Sequence, residues 1–242
     1  MELLDIFWLL VVGAGACFVQ RVSGFGLAIF AMLFLPHFLP TPVAAASVSN
    51  LISCATSSYN SIYYRKNISL KVVLPLILAV LVTVPFAVYL SNRISAKSFY
   101  IVLGIVQILL SLYFIFLGKK VRFKPTMLKG IICGIGSGLL NGLFSTGGPP
   151  AVIYVDNVST NKDEYFACIQ FFFAVSNIYA LIFRLINGLI TVQLLGYALI
   201  AAVGCFLGNY VGKKVFNKLD SSTIKAIIYV ALLISGVIMI CK

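Results

Sequence analysis

Long apolar runs separated by short polar clusters dominate the chain. They cover about 5–22 with 27–38, 43–64, 71–91 and 97–118, then 128–143 with 148–156, 164–184, 192–212 and 222–241. Several reach the ~20 residues that a helix needs to cross a ~30 Å hydrocarbon layer. Stretches such as 72–90 and 101–117 are apolar on every face, whereas a barrel strand alternates apolar with polar over ~10 residues. The pattern predicts an all-α, multi-pass integral membrane protein and excludes a β-barrel. Composition agrees: of 242 residues, 61% are hydrophobic and only 10% charged, against roughly 25% charged in soluble domains.

Counting each broken first pair as one unit, the two halves have the same layout. At a shift near 120, Gly13, Gly15, Gln20 and Gly26 fall on Gly134, Gly136, Asn141 and Gly147. Further on, Asn50 falls on Gln170, Ser57 on Ser176 and Arg65 on Arg184. We read two inverted-topology repeats, 1–118 and 128–242, each a broken helix or hairpin followed by three transmembrane helices, joined by a basic cytoplasmic linker at 119–127. Re-entrant hairpins and pairs of short spans give the same loop faces.

The net charge of +12 belongs to membrane orientation rather than nucleic acid. Of the eighteen Lys and Arg, all but Arg21, Arg93, Lys97, Arg184 and Lys242 fall in the loop regions 65–71, 118–129, 156–164 and 213–225, which share one face. By the positive-inside rule that face is cytoplasmic and both termini lie outside, in a plasma-membrane protein. The first segment follows two acids and no base, so it is expected to remain in the mature protein. Arg21 is the only base placed inside a predicted span, with Arg184 at a segment end.

The chemistry concentrates in the two breaks. The first reads Gln20-Arg21-Val22-Ser23-Gly24-Phe25-Gly26, the second Asn141 through Ser145-Thr146-Gly147-Gly148-Pro149-Pro150. Proline suits the first turn of a new helix and Ser or Thr its cap. A short helix is therefore expected to begin near Pro150, at membrane depth, where irregular backbone must be buried or line a cavity. Helix N-termini present N–H groups and partial positive charge, and glycine lets a ligand approach the backbone. Two facing breaks would hold one small anion. Arg21 either pairs with that anion or binds backbone carbonyls and snorkels to the interface. The amides of Gln20, Asn50, Asn141 and Gln170 are candidate donors to oxygen ligands or interhelical glue.

Other features carry less chemistry. Gly130, Gly134, Gly138 and Gly142, like Gly204, Gly208 and Gly212, recur every fourth residue as packing stripes. The six cysteines are scattered without metal-ligand spacing, and His37 has no catalytic partner in the pattern. No metal, cofactor or nucleic-acid partner is expected, nor an enzyme; the expected partners are a small anionic substrate and membrane lipid. The pattern leaves the oligomeric state open.

The two breaks resemble the signatures of the sulfite exporter TauE/SafE family, which carries a Gly-Phe-Gly element after the first segment and a Gly-rich element followed by Pro in the second half. The similarity extends over the length, the half-repeat and the basic centre. It implies an inner-membrane carrier for sulfite, sulfonates such as sulfoacetate, or related sulfur-containing or organic anions. The candidate binding residues are Gln20, Arg21, Ser23, Gly24, Phe25, Gly26, Asn50, Asn141, Ser145, Thr146, Gly147, Gly148 and Gln170. Export by alternating access is the expected direction, because the spans hold no Asp, Glu or His at mid-depth for a proton relay. An anion-selective channel and cation-coupled uptake are the alternatives.

Overall fold

The computed structural model describes the backbone of residues 3–116, 126–215 and 221–241, and their side chains except at 3, 4, 22, 23, 212–215 and 221–228. Within them α1 spans Leu3–Ser23, α2 Leu27–Phe38, α3 Pro42–Tyr63, α4 Leu70–Ser91, α5 Ala96–Phe116 and α6 Met127–Phe144. The remaining helices are α7 Gly148–Val158, α8 Lys162–Ile186, α9 Val192–Val215 and α10 Ser221–Ile240, with a single 3₁₀ turn at Arg65–Asn67. Every apolar segment expected from the sequence is a helix, and both breaks occur but are shorter than expected: α1 continues through Ser23, α6 continues through Phe144, and α7 already begins at Gly148. The basic linker at 119–127 lies largely outside the described residues.

Local chemistry sets several of these boundaries. Thr41 caps α3, its Oγ1 accepting from the Ala44 amide at 3.0 Å just before Pro42, and Thr126 does the same for α6 from Lys129. At α8, Asn161 Oδ1 accepts from the Glu164 amide while the Glu164 carboxylate accepts from the amide and hydroxyl of Thr160. Such reciprocal capping satisfies amides that the first turn leaves without helical partners.

Helices α4, α5, α6 and α8, and residues Val192–Val211 of α9, are long and apolar enough to cross a membrane. They turn large apolar side chains outward, among them Val82, Phe86, Leu109 and Phe206. Helix α3 is as long but inverts the pattern: Ser47, Ser49, Asn50, Ser53, Ser57 and Asn60 are buried along it. It is the enclosed polar axis of the bundle, which its apolar average conceals.

The principal packing partners are α1 with α9, α4 with α6, α5 with α10, and α3 with α8. This set is unchanged when the first five helices exchange places, in order, with the last five. Glycines permit the closest approaches. A Cβ at Gly134 or Gly142 would meet Leu76 or Val84 carbonyl oxygens of α4, and one at Gly204 or Gly208 would meet the Leu10 or Ala14 carbonyls of α1. Gly104 and Gly236 face each other's carbonyls across α5 and α10. The stripes at 130–142 and 204–208 are thus backbone-contact surfaces; Gly212 lies beyond the described side chains.

Helices α3 and α8 run antiparallel, joined by three polar contacts that descend one helix as they climb the other. Asn60 meets Gln170, Asn50 meets Asn177, and Ser47 meets Arg184. The seam passes beside both breaks.

Candidate functional site

Helix α1 stops because Gly24 and Gly26 take φ values of 81° and 103°, a left-handed backbone that side chains disfavour. The chain then reverses into α2. Helix α6 ends differently, on Ser145 at φ 61°, which is the only positive-φ residue other than glycine among the described residues. The Ser145 amide donates to Asn141 O at 2.8 Å and the Thr146 amide to Leu140 O at 3.2 Å, closing the helix before α7 begins at Gly148. Glycine normally takes such a position, so a serine there accepts strain of ~1 kcal/mol.

Between the two breaks lies a small, partly open cavity of about 30 Å³. One wall is apolar, from Leu27, Ala28 and Ile29 of α2 with Phe172 and Phe173 of α8. The rest of the lining is polar or glycine: Gln20 and Gly26, Ser53 and Ser57, Asn141, the run Ser145-Thr146-Gly147-Gly148, and Ser176 with Asn177. No charged side chain among the described residues lines it. Four buried polar atoms of this wall have no hydrogen-bond partner, namely Gln20 Oε1, Ser53 Oγ, Ser145 Oγ and Thr146 Oγ1. Burying such a group without a partner costs ~1–3 kcal/mol. Three of these are hydroxyls around one hollow; Ser49 Oγ and Ser137 Oγ, outside the lining, share the condition.

The amides serve another purpose. Gln170 Nε2 donates to Gly24 O at 2.8 Å, which fixes its orientation and leaves Gln170 Oε1 to accept from Gln20 Nε2 at 3.0 Å and Asn60 Nδ2 at 3.3 Å. Asn141 Nδ2 donates to Ser176 Oγ at 2.7 Å, and Asn50 Nδ2 to Asn177. These bonds tie the breaks to α3 and α8. Gln20 accordingly keeps a carbonyl oxygen, rather than its amide, without a partner. The groups of the lining able to donate to an oxygen ligand are instead the hydroxyls and the α7 N-terminus. Pro149 and Pro150 supply no N–H there, so the backbone share falls to Gly147 and Gly148.

The thirteen residues expected from sequence therefore separate. Gln20, Gly26, Asn141, Ser145, Thr146, Gly147 and Gly148 line the cavity. Gly24, Asn50 and Gln170 are buried in the supporting network, and Phe25 packs on Phe114 with ring centroids 5.5 Å apart. The side chain of Ser23 is outside the described residues. Arg21 sits partly exposed in the last turn of α1, away from the lining, which favours the interfacial reading. Arg21→Ala should leave anion affinity within about fivefold, since a partly exposed charge contributes ~0–1 kcal/mol; equilibrium binding to purified protein measures it.

The buried base is another residue. Arg184, expected at a segment end, is fully buried inside α8 and donates to Gly142 O at 2.8 Å and Ser47 Oγ at 3.2 Å. Sequence reasoning also passed over Ser53, Ser176 and Asn177 as wall residues. Their signal was a polar residue in the middle of a long apolar span. Two of the repeat-matched pairs, Gln20 with Asn141 and Gly26 with Gly147, meet at the cavity, and so do Ser57 and Ser176.

A family model described as sulfite exporter TauE/SafE matches residues 9–239. No curated protein and no solved structure matches the chain.

Proposed function

Because the chain belongs to the sulfite exporter TauE/SafE family, and so is an integral membrane transporter, we propose that it carries a small sulfur oxyanion or organosulfonate through the cavity between its two breaks. The observation that carries this reading is the set of unpartnered hydroxyls of Ser53, Ser145 and Thr146 beside the start of α7. Hydroxyl and backbone donors suit oxyanion oxygens, and the partial positive charge of a helix N-terminus suits the negative charge. The apolar wall suits a short carbon chain on the same anion.

The two halves act as inverted repeats that rock about the cavity, a reading supported by helix contacts that survive exchange of the halves. Transport runs outward across the plasma membrane, with both termini outside. Each negative charge leaving a cytoplasm at −100 mV gains ~2.3 kcal/mol, and a lining without Asp, Glu or His holds no proton carrier.

Ser145 allows stability and binding to be separated. Ser145→Gly relieves the left-handed backbone and removes the hydroxyl, so melting temperature should hold or rise while affinity falls. Ser145→Gly and Thr146→Val should each weaken the anion roughly tenfold, the loss of one hydrogen bond of ~1.5 kcal/mol to a charged group. Counterflow in proteoliposomes with sulfite, thiosulfate, sulfoacetate and simple carboxylates, with and without sodium or proton gradients, measures both effects and the direction. Equal transport of every anion, or unaltered affinity in both variants, would remove the site. Single-channel currents far above carrier turnover would replace rocking by a pore.

A further inference from the structure

Arg184 is the only Asp, Glu, Lys or Arg that is fully buried among the described residues. No carboxylate among the described residues contacts it. Its NH2 donates to Gly142 O, its NH1 to Ser47 Oγ, and its Nε, also buried, has no partner. An uncompensated guanidinium in such a place is costly, and α8 could have carried a neutral residue there at no loss of packing volume. A buried charge that is kept without a counter-charge implies that an anion supplies one for part of the working cycle.

The location fits. Gly142 lies in the last turn of α6, where carbonyls lack helical partners and a cation is favoured by the helix dipole. One residue before it, Asn141 lines the cavity; three residues after it, a rise of ~4.5 Å, Ser145 does so too. Ser47 and Asn50 lie one turn apart on α3, and Asn50 is bonded to Asn177, another wall residue. The guanidinium thus stands behind the polar wall, fixed to the helix whose end forms it. Apart from the partial charge at the start of α7, the described lining is neutral, so a full charge behind it adds the larger dependence on substrate charge.

We infer that Arg184 is the charge-selecting residue of the transporter: it touches no substrate in this conformation, and its field gives the neutral cavity its preference for anions, and for doubly over singly charged ones. The inference rests on the anion-carrier reading above. Two charges ~15 Å apart at an effective dielectric constant of ~20 change affinity by about fivefold, so the effect should multiply with each unit of substrate charge. A residue that only braced α6 would alter all substrates alike.

The test compares isethionate, with one negative charge, and sulfoacetate, of similar size with two, for transport and affinity in proteoliposomes. Arg184→Gln should weaken isethionate about fivefold and sulfoacetate about 25-fold. Arg184→Lys keeps the charge and should keep the ratio between them. Ser47→Asp sets a carboxylate beside the guanidinium, cancels its field while satisfying its donors, and should reproduce the Arg184→Gln ratio in a well-folded protein, which decides the matter even where Arg184→Gln misfolds. An unchanged ratio in Ser47→Asp, or a ratio lost in Arg184→Lys, would overturn the assignment. Failure of the wild type to bind or move either anion would overturn the anion-carrier reading, and this inference with it.

Discussion

Gly148→Leu should abolish transport while leaving a folded, membrane-inserted protein. A Cβ at Gly148 would meet only the Phe173 ring, at 3.4 and 3.8 Å, and the Phe25 Cβ at 4.0 Å, which are ordinary contacts. Its backbone needs no left-handed conformation, so α7 accepts a side chain there. The added atoms enter the space beside Thr146 that the anion is proposed to fill. Filling a fitted site costs ~3 kcal/mol, roughly a hundredfold in affinity. Gly147 behaves oppositely: a Cβ there would collide with Ser137 O and Asn141 Cβ, so Gly147→Leu should break the α6–α7 turn itself. Flux near wild type in Gly148→Leu, measured with a melting curve that proves folding, would place the substrate elsewhere.

The second large effect is on stability. Gln170→Leu should lower it by roughly 3–9 kcal/mol, because Gln20 Nε2, Asn60 Nδ2 and Gly24 O would lose the partner they share, at ~1–3 kcal/mol for each buried group left unsatisfied. The three belong to α1, α3 and the first break, so one side chain on α8 holds the first broken unit to the central axis. Thermal unfolding in detergent should show the loss, and transport should fall with it as the Gly24 turn loosens. Asn50→Leu breaks only the contacts to Asn177 and should cost less. A Gln170→Leu protein as stable as the wild type would mean that water replaces the network.

These two residues show how far the linear pattern reaches. Gly148 was legible because consecutive Gly and Pro in a membrane span serve no packing face. Gln170 was legible as a polar residue out of place, but its role was not. An amide at a paired position reads equally as ligand donor or as interhelical tie, and only its partners decide. Here the partners are Gly24, Gln20 and Asn60, up to 150 residues away in the chain. The same holds for the arginines. Arg21 lies amid apolar residues and near a break, and Arg184 near the end of a span, so linear position points to the first. The packing of α6 and α3 around the end of α8 encloses the second.

From sequence came the helices, their ends, the two interruptions and the family, because each depends on local matters: hydrophobic length against bilayer thickness, caps, prolines and left-handed glycines. Tertiary structure alone decided which hydroxyls of α3, α6 and α8 face one hollow, which amides are spent on holding it, and which arginine is stripped of water. Those outcomes depend on the rotation of each helix about its axis and on its neighbours at close range. Identical polar residues a turn apart become either wall or brace accordingly, and no sum over the chain contains that angle.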